Sequence, residues 1–344
     1  MSGFKELLFK EHSFVNLIVA YRTAFAALVA IIITFYLHIG LSFWAPIAAF
    51  AIAANVQEGI VYKSWRRILG TLTGCFAALG FVLIVPPLVW GSVIILILIS
   101  FMGFYLSKKT TEFYFLLFIV VHMIIIGTSF ILSPGDGLMI AKDRIFTNII
   151  GVLCIVIIQL AFFPIKKANK KPQFKIQSTY HALRYALFIS ISIILAIYLW
   201  QLFDIPGGIL NMAITILAIT QLDSGETVLK GSQRLIGCLI GILFGSLLIF
   251  IATYGLFYLL LGFFLISGFF IYYHFQHHKH GYGGLQAAIA LSITAFPSLG
   301  PTTVITDGLL RALGILIGIL ITSLMHFIFN NIENLFKLRP QETV

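Results

Sequence analysis

The chain has 344 residues, of which 60% are apolar and 10% charged, and its mean hydropathy is +1.04. A soluble domain carries about a quarter charged residues, so this chain lacks the polar surface that a water-soluble protein needs. Its solvent must be lipid, and the net charge of +10 does not indicate nucleic-acid binding, because the basic residues lie mostly in every second loop.

The first half of the chain contains six apolar runs that we interpret as membrane-spanning helices. They lie at about residues 18–39, 43–60, 68–86, 88–107, 113–132 and 145–164. Six more follow in the second half, at about 183–203, 207–222, 235–252, 255–273, 284–297 and 311–329. The second, eighth and eleventh are the weakest predictions. We therefore predict an all-α integral membrane protein with about 12 transmembrane helices.

The distribution of Lys and Arg predicts the orientation of the chain in the membrane. Alternate loops are basic, and the opposite loops hold few cations, among them Lys142. Cytosolic loops carry the excess of Lys and Arg, so both termini are expected in the cytosol. The basic segment Lys166–Tyr180 is expected to be a cytosolic linker between two halves.

The two halves match at an offset of 167 residues. Arg67 corresponds to Arg234, and Arg144 corresponds to Arg311. This pattern predicts two parallel six-helix repeats, related by an axis along the membrane normal. The expected domains are residues 1–165, the linker 166–180, the second repeat 181–330 and a cytosolic tail 331–344.

The paired arginines are the strongest candidates for a substrate site. The apolar runs place each of them at a helix N-terminus, where a guanidinium group and the helix dipole would together bind a carboxylate or a phosphate. Lipid headgroups or local ion pairs are the alternative partners. The candidates are Arg67, Arg234, Arg144 and Arg311.

Small residues line the same face of the third predicted helix. Gly70 and Gly74 follow Arg67 at helical spacing, so they are candidates for substrate contact. Close packing of another helix is the simpler explanation, because small residues allow helices to approach in lipid. Gly237 and Gly241 repeat the pattern in the second half.

Acidic residues at the ends of the second and eighth spans are candidates for proton coupling. They are Glu58, Asp223 and Glu226, and carboxylates near the membrane often mark proton paths. A solvated interface is the alternative. The histidines between His274 and His280 lack an accompanying carboxylate or Cys, so we expect no metal site. No nucleotide-binding motif is present, and we expect no cofactor.

Phe43-Trp44-Ala45-Pro46 and Arg66-Arg67-x-x-Gly70-Thr71-x-x-Gly74 resemble the fusaric acid resistance (FUSC-like) family, which includes aromatic acid exporters. The resemblance implies a bacterial inner-membrane efflux protein that works beside a periplasmic adaptor and an outer-membrane channel. Family members commonly carry a large cytosolic domain, which we do not expect in this sequence. Membrane lipid and a second copy of the chain are further expected partners.

Three functions follow from these observations. The leading hypothesis is a secondary exporter of organic acids, with aromatic carboxylic acids as the expected substrates, driven by the proton gradient. The alternatives are an anion channel and a non-transporting protein that helps to assemble an envelope complex. An enzyme is not expected, because the His and acidic residues form no recognisable catalytic constellation.

Overall fold

A computed structural model describes most of the chain, and every regular element in the described part is an α-helix. The described residues are 11–53, 57–85, 89–132, 134–162, 176–203, 205, 208–221, 224–277, 279–296 and 306–336. Most of the predicted linker and tail, at 163–175 and 337–344, falls outside these ranges. The proposed domain boundaries therefore stay predictions.

The described part of the chain contains twelve helices, six in each half. The first six are α1 (Glu11–Tyr36), α2 (Trp44–Ile52), α3 (Gln57–Ile84), α4 (Val89–Lys109), α5 (Phe113–Leu132) and α6 (Pro134–Phe162). The second six are α7 (Thr179–Phe203), α8 (Gly208–Ile219), α9 (Ser224–Ala252), α10 (Leu256–Gln276), α11 (Tyr282–Ala295) and α12 (Thr306–Phe336).

Nine of the described helices are long and apolar enough to cross a membrane, which makes this a multi-pass membrane protein. The other three, α2, α8 and α11, correspond to the three weakest predicted spans. Helix α2 has 9 residues, α8 has 12 and α11 has 14. Most residues of α2 and α11 are buried in protein, an environment in which a short helix is tolerated at membrane depth.

Two hydrophobic cores hold the helices together, and each combines both halves of the chain. The first core takes buried side chains mainly from α1, α2 and α6 together with α10 and α11. The second takes them from α7, α8 and α12 together with α4 and α5. Each half therefore contributes its fourth and fifth helices to the core of the other.

Equivalent helices pack in equivalent pairs along the two halves. Helix α3 packs on α5 as α9 packs on α11, and α2 packs on α6 as α8 packs on α12. Between the halves, α1 packs on α10 and α7 packs on α4. Contacts of α2 with α11 and of α5 with α8 bring the short helices to the interface between the halves.

One ion pair among the described side chains lies where α5 begins. Arg66 donates hydrogen bonds from Nε to Glu112 Oε2 and from Nη2 to Glu112 Oε1, both at 2.6 Å. The hydrogen bond from Arg66 lowers the pKa of Glu112 below its ordinary value. This stabilisation is complete above the unfolded-state pKa of about 4.3 and is lost as the pH falls through the lower, folded-state pKa.

We expect Glu112→Gln to remove the part of the stability loss at low pH that comes from the pair of Arg66 and Glu112. Glu112 is 45% exposed, so solvent screening limits the effect to less than about 1 kcal/mol. Thermal unfolding of the two proteins between pH 7 and pH 3 would measure it. Parallel pH profiles for the wild type and the variant would contradict this contribution of Glu112.

Candidate functional site

Four arginines lie inside helices, and the prediction that they occupy helix N-termini is wrong. Helix α3 begins at Gln57 and α9 at Ser224, so Arg67 and Arg234 each lie nearly three turns into their helices. Arg144 lies equally far into α6, and Arg311 lies in the second turn of α12. The apolar run marks where lipid contact starts, whereas the helix begins earlier, in polar residues nearer the membrane surface.

All four arginines are nevertheless buried, and each lies in a helix that is long and apolar enough to cross a membrane. Their exposed fractions are 7% for Arg67, 5% for Arg144, 3% for Arg234 and 8% for Arg311. None of them forms an ion pair with a described carboxylate. The helix dipole therefore does not favour anion binding at these arginines, because its effect falls off within the first turn of a helix. What distinguishes these arginines is that they are buried and have no described carboxylate partner.

Hydrogen bonds and an aromatic ring hold Arg67 in the first half. Its Nε donates to Asn148 Oδ1 on α6 at 2.9 Å. Its guanidinium carbon lies 4.5 Å from the centre of the Phe118 ring on α5, within the range of a cation–π interaction. Asn148 in turn donates to the Arg144 carbonyl at 2.9 Å, so Arg67 is fixed against the helix that carries the second arginine.

Arg234 is held by three polar groups. Its Nε donates to Thr215 Oγ1 on α8 at 3.1 Å, and its Nη1 donates to Gln286 Oε1 on α11 at 2.7 Å. The Tyr282 hydroxyl is a further acceptor at 3.4 Å. These acceptors have no counterparts at the 167-residue offset, where the first half has Ala48, Ile119 and Phe115. Arg234 is therefore largely satisfied within the protein.

We expect Gln286→Leu to destabilise the fold, because it leaves the buried Arg234 guanidinium without its shortest hydrogen bond. Loss of a hydrogen bond to a charged group costs about 1.5–3 kcal/mol, which thermal unfolding in detergent would detect. Ser232→Ala, an exposed substitution on α9, serves as the control. A Gln286→Leu protein as stable as the control would contradict this role.

Arg144 has N–H donors that no described residue accepts. Its Nε and Nη2 atoms are buried and have no hydrogen-bond partner among the described residues. Its guanidinium carbon lies 3.1 Å from the centre of the Trp44 ring on α2. Trp44 is only 8% exposed, so it is buried in the protein and covers Arg144.

Arg311 is the equivalent group in the second half and also has a buried Nε without a partner among the described residues. Arg144 lies within electrostatic range of both Arg67 and Arg311, and Arg311 lies within range of Arg234. The four arginines therefore form one positively charged cluster that crosses the interface between the halves.

The two candidate glycines of α3 face another helix. A methyl group added at Gly70 would lie 2.8 Å from the Phe115 carbonyl oxygen, and one at Gly74 would lie 2.7 Å from the Ile119 carbonyl oxygen. The equivalent glycines of α9 abut the backbone of α11. Helix packing accounts for Gly70 and Gly74, and their contact with substrate stays a prediction without structural support.

The acidic candidates lie apart from the arginine cluster where they are described. Glu226 is exposed in the first turn of α9. The side chain of Glu58 and the whole of Asp223 lie outside the described residues. Their role in proton coupling stays a prediction.

Sequence reasoning missed most of the partners of the arginines. Asn148, Thr215 and Gln286 are polar residues within apolar runs, which is the signal that could have identified them. Trp44 was noticed as part of a motif, but its contact with Arg144 joins positions 100 residues apart and has no local signature.

Comparison with known proteins gives one match. The sequence model of a protein family described as fusaric acid resistance protein-like matches residues 29–158 and 193–325, which together cover most of the chain. The two matched segments include Arg67, Arg144, Arg234 and Arg311. No curated protein and no solved structure matches the chain.

Proposed function

Because the chain belongs to the fusaric acid resistance protein-like family, we propose that it is a secondary transporter that exports organic acids across the bacterial inner membrane. The family and the nine long apolar helices indicate a membrane protein with a transport or efflux role. Aromatic carboxylates are the proposed substrates, and the proton gradient is the proposed energy source. The termini are then cytosolic, and an adaptor with an outer-membrane channel would complete the export path.

The observation that carries this proposal is the pair of Arg144 and Arg311. Both guanidinium groups are buried, both have N–H donors without a partner among the described residues, and each belongs to a different half of the chain. Two nearby cations in a medium of low polarity repel each other strongly. A carboxylate between them would remove this repulsion and accept the free hydrogen bonds.

The paired packing of helices supports an alternating-access mechanism for the same site. We propose that residues 29–158 and 193–325 are parallel six-helix repeats, since one family model matches both segments and equivalent helices pack alike. In such transporters the repeats move against each other around a central binding site. An anion bound by Arg144 and Arg311 would lie at the boundary between the moving parts.

Transport by the purified chain in proteoliposomes tests this function. We expect a labelled aromatic carboxylate to accumulate when a proton gradient is imposed at a clamped voltage, and an uncoupler to abolish the accumulation. Movement that follows voltage alone, with no response to the proton gradient, would instead identify an anion channel. Failure to move any organic anion would overturn the transport proposal and favour the assembly role.

A further inference from the structure

His122 on α5 is a buried titratable group that the proposed mechanism has not used. Its side chain is 1% exposed, and its ring lies 5.9 Å from that of Phe118, which also contacts the guanidinium group of Arg67. Arg67 in turn donates to Asn148, which donates to the Arg144 carbonyl, so a continuous chain of contacts links His122 to both arginines. It therefore belongs to the arginine cluster, although no sequence motif includes it.

The hydrogen bond made by one ring nitrogen fixes the role of the other. His122 Nδ1 lies 2.8 Å from the Phe118 carbonyl oxygen, and a carbonyl oxygen accepts hydrogen bonds but never donates them. Nδ1 therefore carries the hydrogen, and in the neutral ring Nε2 is an acceptor. This Nε2 is buried and has no partner among the described residues.

The arginine cluster thus contains both hydrogen-bond donors, on Arg144, and an acceptor, on His122, that have no partner among the described residues. Arg144 offers Nε and Nη2, the two N–H groups of a guanidinium edge that bind a carboxylate in a bidentate manner. His122 Nε2 offers an acceptor, which a carboxylate oxygen cannot satisfy. A ligand that satisfies all three atoms needs a carboxylate and, beside it, a hydrogen-bond donor.

We propose that His122 is a specificity-determining residue, whose Nε2 accepts a hydrogen bond from a hydroxyl group of the bound anion. The site then selects hydroxylated carboxylates over their unhydroxylated analogues. This inference rests on the proposed function, because it places the ligand carboxylate on Arg144. A polar group left unpaired in a buried site penalises the analogue that lacks the matching hydroxyl.

The other buried histidine of the described membrane helices gives a matched control. His326 on α12 is 5% exposed, and its Nε2 lies 3.0 Å from Thr227 Oγ1 on α9. Its ring packs on Phe188, with 4.4 Å between the ring centres. It resembles His122 in burial and aromatic contact, but its Nε2 already has a partner within the protein.

Calorimetric binding to the purified full chain tests the inference with two matched pairs, lactate with propionate and hydroxybenzoate with benzoate. The hydroxylated member that binds better is compared with its own analogue. We expect the wild type at pH 7.5 to bind it about tenfold more tightly than that analogue. His122→Phe should reduce this ratio to about one while the analogue still binds. His122→Gln, which retains an acceptor oxygen, and His326→Phe should keep the preference.

NMR of ¹⁵N-labelled histidine provides a readout that requires no substitution. The hydroxylated ligand should shift the His122 Nε2 resonance, whereas its analogue should leave the resonance unchanged. Equal affinities in the wild type, or a preference that survives in His122→Phe, would overturn the role of His122 while leaving the transport function intact. If the wild type binds no carboxylate at all, the proposed function fails and this inference fails with it.

Discussion

Replacing Arg144 and Arg311 together by Ala is expected to abolish carboxylate transport. The double substitution removes the buried guanidinium groups whose N–H donors are unpartnered among the described residues. Each hydrogen bond to a charged group contributes about 1.5–3 kcal/mol, so we expect the Kd for an organic anion to rise at least about 100-fold. Equilibrium binding and proteoliposome flux would measure the two effects separately.

Two further variants distinguish binding from a general loss of charge. Arg144→Lys with Arg311→Lys keeps both positive charges but loses the bidentate guanidinium edge, so we expect an intermediate affinity. Arg66→Gln removes a cation that pairs with Glu112 outside the cluster and should leave flux near the wild-type rate. If the double Ala variant transports as well as Arg66→Gln does, Arg144 and Arg311 do not bind the substrate.

Substitutions of Arg67 and Arg234 are expected to behave differently from those of Arg144 and Arg311. Arg67 and Arg234 already donate to Asn148, Thr215 and Gln286. Their replacement by Ala leaves buried acceptors without donors, so the main effect should be on stability. Their charges still contribute to the potential of the cluster, so a smaller loss of anion affinity should accompany it.

A large side chain at Gly74 is expected to disrupt the packing of α3 on α5. A Cβ atom at this position would lie 2.7 Å from the Ile119 carbonyl oxygen and 2.9 Å from His122 Cβ. Backbone atoms cannot move aside as a flexible side chain can. We expect Gly74→Leu to destabilise the protein by at least about 2–3 kcal/mol, with a matching fall in the Tm measured by fluorescence-detected gel filtration.

Gly80 provides a control on the same helix. A Cβ atom added there meets nothing within 4 Å, so Gly80→Leu changes the same residue type without a steric conflict. We expect its Tm to remain close to that of the wild type. Equal losses of stability in Gly74→Leu and Gly80→Leu would show that helix propensity, and not the contact between α3 and α5, governs the response.

Much of the site could be located from the sequence, but its chemistry could not be assigned correctly. The offset of 167 residues is enough to identify Arg67, Arg144, Arg234 and Arg311 as related pairs. The assumption that an apolar run and its helix begin together then placed them at helix ends. Helices α3 and α9 extend further through polar residues, since backbone hydrogen bonding needs no apolar side chains.

The sequence by itself determined the solvent of this protein, its helical class and its family. Composition, hydropathy and motifs are local properties, and each can be read within one helix. Only the tertiary structure decided that Arg144 and Arg311 have donors without partners among the described residues, that Trp44 covers Arg144 and that each core combines both halves. Whether a buried polar group has a hydrogen-bond partner depends on residues from distant parts of the chain, such as Asn148 for Arg67. A local sequence pattern cannot predict such a partner.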